Sequence, residues 1–255
     1  MPELLPSLSA FFPAHNEEGN VVAMVDALRL VLPRVAARWE IVVVDDGSTD
    51  RTGALAEDLA RRDERVRVVR HAANRGYGGA IKSGLAAARY EWIFYTDGDR
   101  QFDPGQITRL IAELGRADVV IGYRHHRADR LVRRLNGVAW NTLVRLLIGL
   151  RVRDIDCAFK LLPRAALDGL ALEAEGAMIS TELLARLKQR GCRIVQVPVD
   201  HFPRRTGTPS GGSPLVIARA FAELFRLSRR LRRPPREANR EAESKRGTEK
   251  HAATL

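Results

Sequence analysis

Glu40-Ile41-Val42-Val43-Val44-Asp45-Asp46-Gly47-Ser48-Thr49-Asp50 is the stretch on which the fold turns. Four β-branched residues in a row, with no polar alternation, read as a strand covered on both faces, because a half-exposed strand would alternate. The run stops at two adjacent carboxylates and a glycine. Ser48, Thr49 and Asp50 are good helix N-caps, and the segment after them, TGALAEDLARR (52–62), carries apolar residues at helical spacing. Strand, polar turn and helix thus follow one another within two dozen residues.

The same rhythm extends on either side. LSAFFP (8–13), VRVVRH (66–71), WIFYTD (92–97) and ADVVIGY (117–123) are strand candidates, and VVAMVDALRLVLPRV (21–35) and GAIKSGLAAARY (79–90) are helix candidates. Strands separated by helices of this length make βαβ units, so the fold class is α/β, a mostly parallel central sheet with helices on both faces. In open sheets of this kind ligands bind outside the carboxyl ends of the strands, which directs attention to the polar residues after each one. Beyond Tyr123 the pattern changes. LVRRLNGVAWNTLVRLLIGL (131–150) reads as one or two amphipathic helices, CAFKLLPR (157–164) as a short strand or turn, ISTELLARLKQRG (179–191) as a helix and CRIVQVPVDHF (192–202) as a strand. A Gly/Pro/Ser/Thr-rich loop, PRRTGTPSGGSP (203–214), leads to a last amphipathic helix, LVIARAFAELFRLSRRLRR (215–233). Residues 1–232 read as one domain, with 1–122 and 123–232 as its halves, and 233–255 as a basic tail polar enough to be disordered.

Composition narrows the classes of function. Two cysteines, Cys157 and Cys192, are too few for a disulfide framework. No apolar run approaches the roughly 20 residues a membrane-spanning helix needs, and the N-terminus lacks the basic start of a secretory signal. The expected location is therefore cytoplasmic. Basic residues are concentrated: Arg124–Arg153 holds eight Arg against one Asp, and Arg226–Lys250 ten basic residues against four acidic, while the whole chain carries +11. Neither segment has the interleaved aromatics that stack bases, so nucleic acid is disfavoured. Clustered Arg is equally suited to an anionic membrane surface.

Four polar clusters fall at strand ends. Asp97-Gly98-Asp99-Arg100-Gln101 sets two carboxylates one residue apart, with a glycine between them. Such a pair can turn toward one hard cation, Mg²⁺ or Mn²⁺, that shares its oxygens with substrate phosphates, and Gln101 could add a carbonyl oxygen. The competing reading is an Asp-Gly surface turn. Asp45 and Asp46 are adjacent at a buried strand end, where like charges cost energy unless something binds them, and a carboxylate there can accept from a base or ribose. Asn74-Arg75-Gly76-Tyr77-Gly78-Gly79 opens a helix, where glycines would let an anion approach the backbone N–H groups. A glycine turn before a helix is otherwise ordinary. Pro13-Ala14-His15-Asn16-Glu17-Glu18 closes the first strand at the same edge, and His15 alone reads as a solvated loop histidine.

In this order, FFPAHNEEGN, VVVDDGSTD, NRGYGGAIKSGL and YTDGDRQFDP, continuing with IGYR, DIDCAFKLLPR, ISTELLARLKQRGCRIVQVPV and HFPRRTGTPSGG, resemble family 2 glycosyltransferases of the GT-A fold. Among these the chain looks most like the polyprenyl-phosphate and dolichyl-phosphate sugar synthases, over about residues 7–225. The resemblance implies a Rossmann-like nucleotide half and an acceptor half. Pro13, Asn16, Glu17, Asn74, Gly76, Lys82, Asp97 and Gly98 would line the donor pocket, with Asp46 near the base. Asp97, Asp99 and Gln101 would hold a divalent metal. Asp156, in the segment matching D-x-x-x-G-F-[RK], would sit with Asp97 and Asp99 at the reacting centre; Ala158 stands where that pattern has Gly. Glu182, Arg124, Arg204 and Arg205 would contact the acceptor or its phosphate.

The implied reaction is inverting transfer of a hexose from a donor of the GDP-mannose or UDP-glucose type to a polyprenyl phosphate. An acceptor phosphate is already anionic at neutral pH and needs no strong base. A hydroxyl acceptor would need one, and Asp154 or Asp156 would be the candidates. The basic helix 131–150 could then lie in the interface on the inner face of the membrane. The resemblance lacks the transmembrane hairpins many such enzymes append, which leaves a peripheral enzyme, one anchored by a partner protein, or one with a soluble acceptor. A non-catalytic nucleotide-sugar-binding subunit is the further alternative, against which the intact Asp97, Asp99 and Gln101 argue.

Overall fold

A computed structural model describes residues 4–125, 140, 142–204 and 214–231, the last helix by backbone alone as far as residue 222. Seven strands form one sheet: β1 (Leu5–Ala14), β2 (Ala36–Asp45), β3 (Val66–Arg70), β4 (Trp92–Thr96), β5 (Val119–Arg124), β6 (Phe159–Pro163) and β7 (Ile194–Val199). The spatial order is β3-β2-β1-β4-β6-β5-β7. The first four are parallel, and β7 is parallel to β5. β6 runs antiparallel between β4 and β5. That insertion makes the sheet mixed though mostly parallel, and it places the end of β4 beside the start of β6.

The α/β expectation holds. Phe11 and Phe12 point to opposite faces of β1 and are both fully buried, so both faces of the sheet are covered. Helix α1 (Val21–Val31) packs on α2 (Thr52–Arg62), while α3 (Gly76–Ala87) packs on β1 and β2. α3 lies very close to the sheet. A Cβ built at Gly84 would fall 2.2 Å from a ring carbon of Phe11, so only glycine fits there. Helix α4 (Ile107–Ile111), α5 (Met178–Gln189) and α6 (Pro214–Leu231) complete the regular elements named here, and residues 142–148 are also helical.

Several boundaries differ from the sequence reading, each for a local reason. The helix expected over 21–35 ends at Val31, and Leu32-Pro33-Arg34 continues as a 3₁₀ turn, because a proline inside the helix would remove a hydrogen bond. α3 begins at Gly76 rather than 79. α4 was not anticipated, since its single short turn shows too little periodicity to read. CAFKLLPR resolves into a central strand, β6. The segment 126–139, residues 205–213 of the loop 203–214 and the tail 233–255 lie outside the described residues, and so does half of the expected interfacial helix 131–150. Among the described residues no helix is long and apolar enough to cross a membrane.

Candidate active site

The carboxyl ends of β1, β2, β3 and β4 meet along one edge. The turn after β1 is laced to the turn after β2. Asn16 adopts φ 54°, its N–H donates to Ser48 Oγ at 3.0 Å, and its side-chain carbonyl accepts from Thr49 N at 2.9 Å. Glu17 N–H donates to Thr52 Oγ1 at 2.8 Å. The capping residues anticipated for α2 therefore hold the first loop instead of only their own helix. Gly47, at φ +67°, is required by its turn and by contact, because a Cβ would lie 2.5 Å from the backbone at Ala73 and Asn74.

The two adjacent aspartates divide the work. Asp45 is fully buried, accepts from Ser48 N at 3.0 Å and has Arg70 Nε at 3.3 Å from its second oxygen. Asp46 is also buried. Its Oδ1 accepts from His71 Nδ1 at 2.6 Å and from Arg75 N at 2.8 Å. His71, which sequence reading passed over, is thus the partner that allows a second carboxylate at this strand end.

The opening of α3 corrects one expectation. The N–H of Gly76 donates to Asn74 Oδ1 at 2.7 Å and that of Gly78 to Glu175 O at 2.7 Å. These amides are satisfied within the chain, not presented to an anion. A Cβ at Gly78 would meet Glu175 O at 2.5 Å, so this glycine makes room for the 174–175 segment. Glu182, fully buried on α5, fixes that segment. Its Oε2 accepts from Glu173 N (2.8 Å) and Ala174 N (2.7 Å), and its Oε1 from Arg186 Nε (3.0 Å) and Nη2 (2.9 Å). Both carboxylate oxygens of Glu182 are thereby engaged by its own chain. Lys82 lies elsewhere: it lines a pocket of about 320 Å³ with Leu85, Ala86, Leu167, Leu170 and Leu172, about 9 Å along α3 from Gly76 at the rise of a helix.

The end of β4 carries the two carboxylates that stand one residue apart, Asp97 and Asp99. Gly98 abuts β1, since a Cβ there would lie 2.7 Å from Pro13 O. Asp99 Oδ1 accepts from Gln101 N at 3.1 Å. Gln101 Nε2 donates to Phe202 O at 3.0 Å, and Phe202 N donates to Gln101 O at 2.8 Å. This strap after β7 carries Arg204 into the site, where it pairs with Glu17 and stands 3.8 Å from Asp99. Asp97 is pushed up to about 7, first by burial and then by the charge of Asp99, against the opposing pull of Lys160, a hydrogen bond from Tyr77, and Arg124. Tyr77, at the start of α3, is held well above its ordinary value by burial and by Asp97.

Two more groups back this pair. Lys160 is fully buried on β6; its ammonium donates to the carbonyls of Cys157 and Ile155 and sits 5.3 Å from the centre of the Tyr95 ring. A lysine within the apolar run Phe159–Leu162 was the sequence signal that could have marked it. Arg124 makes a two-pronged pair with Asp154, Nε–Oδ2 2.6 Å and Nη2–Oδ1 2.7 Å. Burial works against the charge of Arg124, but these bonds outweigh it and raise its pKa. Asp156, two residues on, is exposed, and its charge reaches Tyr77 and Arg124. The structure therefore gathers Glu17, Asp97, Asp99, Arg204, Arg124 and Asp156 at one edge, and Arg205 lies outside the described residues.

Two close carboxylates, one of them lifted to about 7 by burial and by the other, are the arrangement a hard divalent cation relieves. Among the described residues no group of three His, Cys, Asp or Glu side chains is collected for a metal.

A mixed, parallel-dominated seven-stranded sheet with helices on both faces is an α/β architecture of the GT-A fold. The chain matches glycosyl transferase family 2 over residues 9–170 and belongs to that family. It is 33% identical over 209 residues to the glycosyltransferase AglD of Haloferax volcanii, an alignment covering 77% of this chain and 33% of that protein. It is 30% identical over 227 residues to an undecaprenyl-phosphate mannosyltransferase of Micrococcus luteus, covering 84% of this chain and 90% of the relative. Its backbone is similar, at TM-score 0.65 and 21% identity, to a Mycobacterium tuberculosis glucosyl-3-phosphoglycerate synthase solved with Mn²⁺, UDP-glucose and phosphoglyceric acid. That match covers 88% of this chain and 80% of the other and concerns the fold.

Proposed function

We propose that the chain transfers a hexose, with inversion, from a nucleoside-diphosphate sugar to a polyprenyl or dolichyl phosphate at a membrane surface. The observation that carries this reading is the meeting of Asp97 and Asp99 with Arg204 and Glu17 at the carboxyl edge of the sheet. Asp97 and Asp99, with Gln101 beside them, would hold Mg²⁺ or Mn²⁺ against the donor diphosphate, where the cation supplies neutralisation of the leaving group. Pro13, Asn16, Glu17, Asp46 and Gly98 shape the donor side. Arg204 and Arg205 would take phosphate oxygens, a task for which the guanidinium fork is suited.

A phosphate acceptor also accords with the state of Asp154. Its two oxygens are occupied by Arg124, so it is a poor base for a hydroxyl acceptor. An acceptor phosphate needs no base. The names of relatives such as the Micrococcus luteus enzyme support the lipid acceptor. Peripheral attachment through the basic segments, directly or by way of an anchoring partner, belongs to the same proposal, as does a cytoplasmic location.

The test is transfer of radiolabelled sugar from GDP-mannose, UDP-glucose and UDP-N-acetylglucosamine to a short polyprenyl phosphate, with Mg²⁺ or Mn²⁺, followed by extraction into organic solvent. Metal-dependent label in the organic phase is the expected result. Label that stays in water, with donor hydrolysis abolished by Asp99→Asn, would replace the lipid acceptor with a soluble one.

A further inference from the structure

We propose that Asp46, oriented by His71, makes the donor site a reader of uracil rather than guanine nucleotides. The inference rests on the nucleotide-sugar reading above and adds the identity of the base. Asp46 is 4% exposed, and its two oxygens are not equivalent. Oδ1 accepts from His71 Nδ1 at 2.6 Å and from Arg75 N at 2.8 Å, which fills the two lone-pair directions a carboxylate oxygen offers. Oδ2 makes no hydrogen bond among the described residues.

The orientation is locked from both sides. A carboxylate is an acceptor only, so His71 Nδ1 carries the proton and its Nε2 faces Ser83 Oγ at 2.8 Å. Ser83 and the Arg75 amide belong to α3 and its cap, and the His71 backbone N–H donates to Asp45 O at 2.9 Å. Rotating Asp46 to offer both oxygens to a ligand would break two short bonds and leave the buried His71 N–H without a partner.

The two bases make different demands. Guanine presents N1–H and N2–H side by side, a pair of donors that a carboxylate takes with both oxygens. Uracil presents a single N3–H between two carbonyls and needs one oxygen. A guanine at Asp46 would place its second donor against a saturated acceptor and lose a buried hydrogen bond. Sites built around a hydrogen-bond pattern reject the ligand that leaves a group unpaired. One such loss corresponds to about tenfold or more in affinity.

Titration calorimetry of the full chain with UDP and with GDP, each with and without Mn²⁺, tests this. UDP is expected to bind at least about tenfold tighter than GDP. His71→Leu frees Oδ1, so the ratio should fall toward one. His71→Asn, whose amide nitrogen can stand near the position of Nδ1, should keep most of it. GDP binding as tightly as UDP to the native chain, or an unchanged ratio in folded His71→Leu, overturns the assignment and leaves the glycosyltransferase reading intact. Failure of the native chain to bind either nucleotide overturns that reading and this one together.

Discussion

Arg204 pairs through one terminal nitrogen with Glu17 and holds the other 3.8 Å from Asp99 Oδ2, so a single guanidinium ties the end of β1 to the end of β4. In the ligand-free chain it is a fixed cation beside the carboxylates that would bind a metal. Arg204→Gln should therefore tighten Mn²⁺ binding to the donor-free protein, by roughly threefold to fivefold for a partly exposed pair. Turnover with a phosphate acceptor should fall. Electron paramagnetic resonance of free Mn²⁺ reads the first effect, and unchanged or weaker Mn²⁺ binding would remove Arg204 as a competitor.

Asp97→Asn and Asp99→Asn are each expected to lower turnover at least about 100-fold, the scale of losing a preorganised electrostatic group. Thermal unfolding should show both variants folded. Near-normal rates in either would mean that the reacting centre lies elsewhere.

The raised pKa of Asp97 has a consequence for stability without metal. Its folded value, about 7, is above the ordinary 3.8, so the folded state holds the proton more tightly than the unfolded chain does. The stability it contributes is complete below about 4 and is lost as pH rises through 7. Relative to Asp97→Asn, the native protein should lose melting temperature between pH 5 and pH 8. A constant difference between the two across that window would contradict the burial and charge argument.

Gly84→Ala places a methyl group where a ring carbon of Phe11 lies 2.2 Å away, between a helix and a strand that are both buried. Overpacking of this kind costs about 1–3 kcal/mol, which for a domain of this size is a fall of several degrees in melting temperature. Calorimetry or circular dichroism would measure it, and a melting temperature equal to that of the native chain would show that α3 can shift at no cost.

The thiols should separate cleanly. Cys157 is fully buried, and its pKa is pushed up to about 12 by burial and then by Asp154. Cys192 is partly exposed and is raised more modestly, by burial and by Asp118. At pH 8 a thiol reagent should modify Cys192 slowly and leave Cys157 untouched until denaturant is added. Rapid labelling of both in the native protein would place Cys157 wrongly.

The sequence by itself determined the α/β class and placed the polar clusters at the carboxyl ends of the strands. Short uninterrupted β-branched runs such as Ile41–Val44 favour strands buried on both faces, and each carried its polar cluster at its own end. It also determined the pair Asp97 and Asp99, because their spacing is local. Tertiary structure alone decided what each of these groups faces. The antiparallel insertion of β6 brought Lys160 beneath Asp97, and the strap after β7 brought Arg204 to Glu17 and Asp99. His71 and Ser83 meet Asp46 only because α3 folds back over β2 and β3. The same packing gave both oxygens of Glu182 to its own chain and turned the Gly78 amide toward Glu175. Periodicity reports which face of an element is buried, a property of neighbours in sequence. Which oxygen of a buried carboxylate stays unpaired depends on groups from distant strands and helices, and no spacing along the chain encodes it.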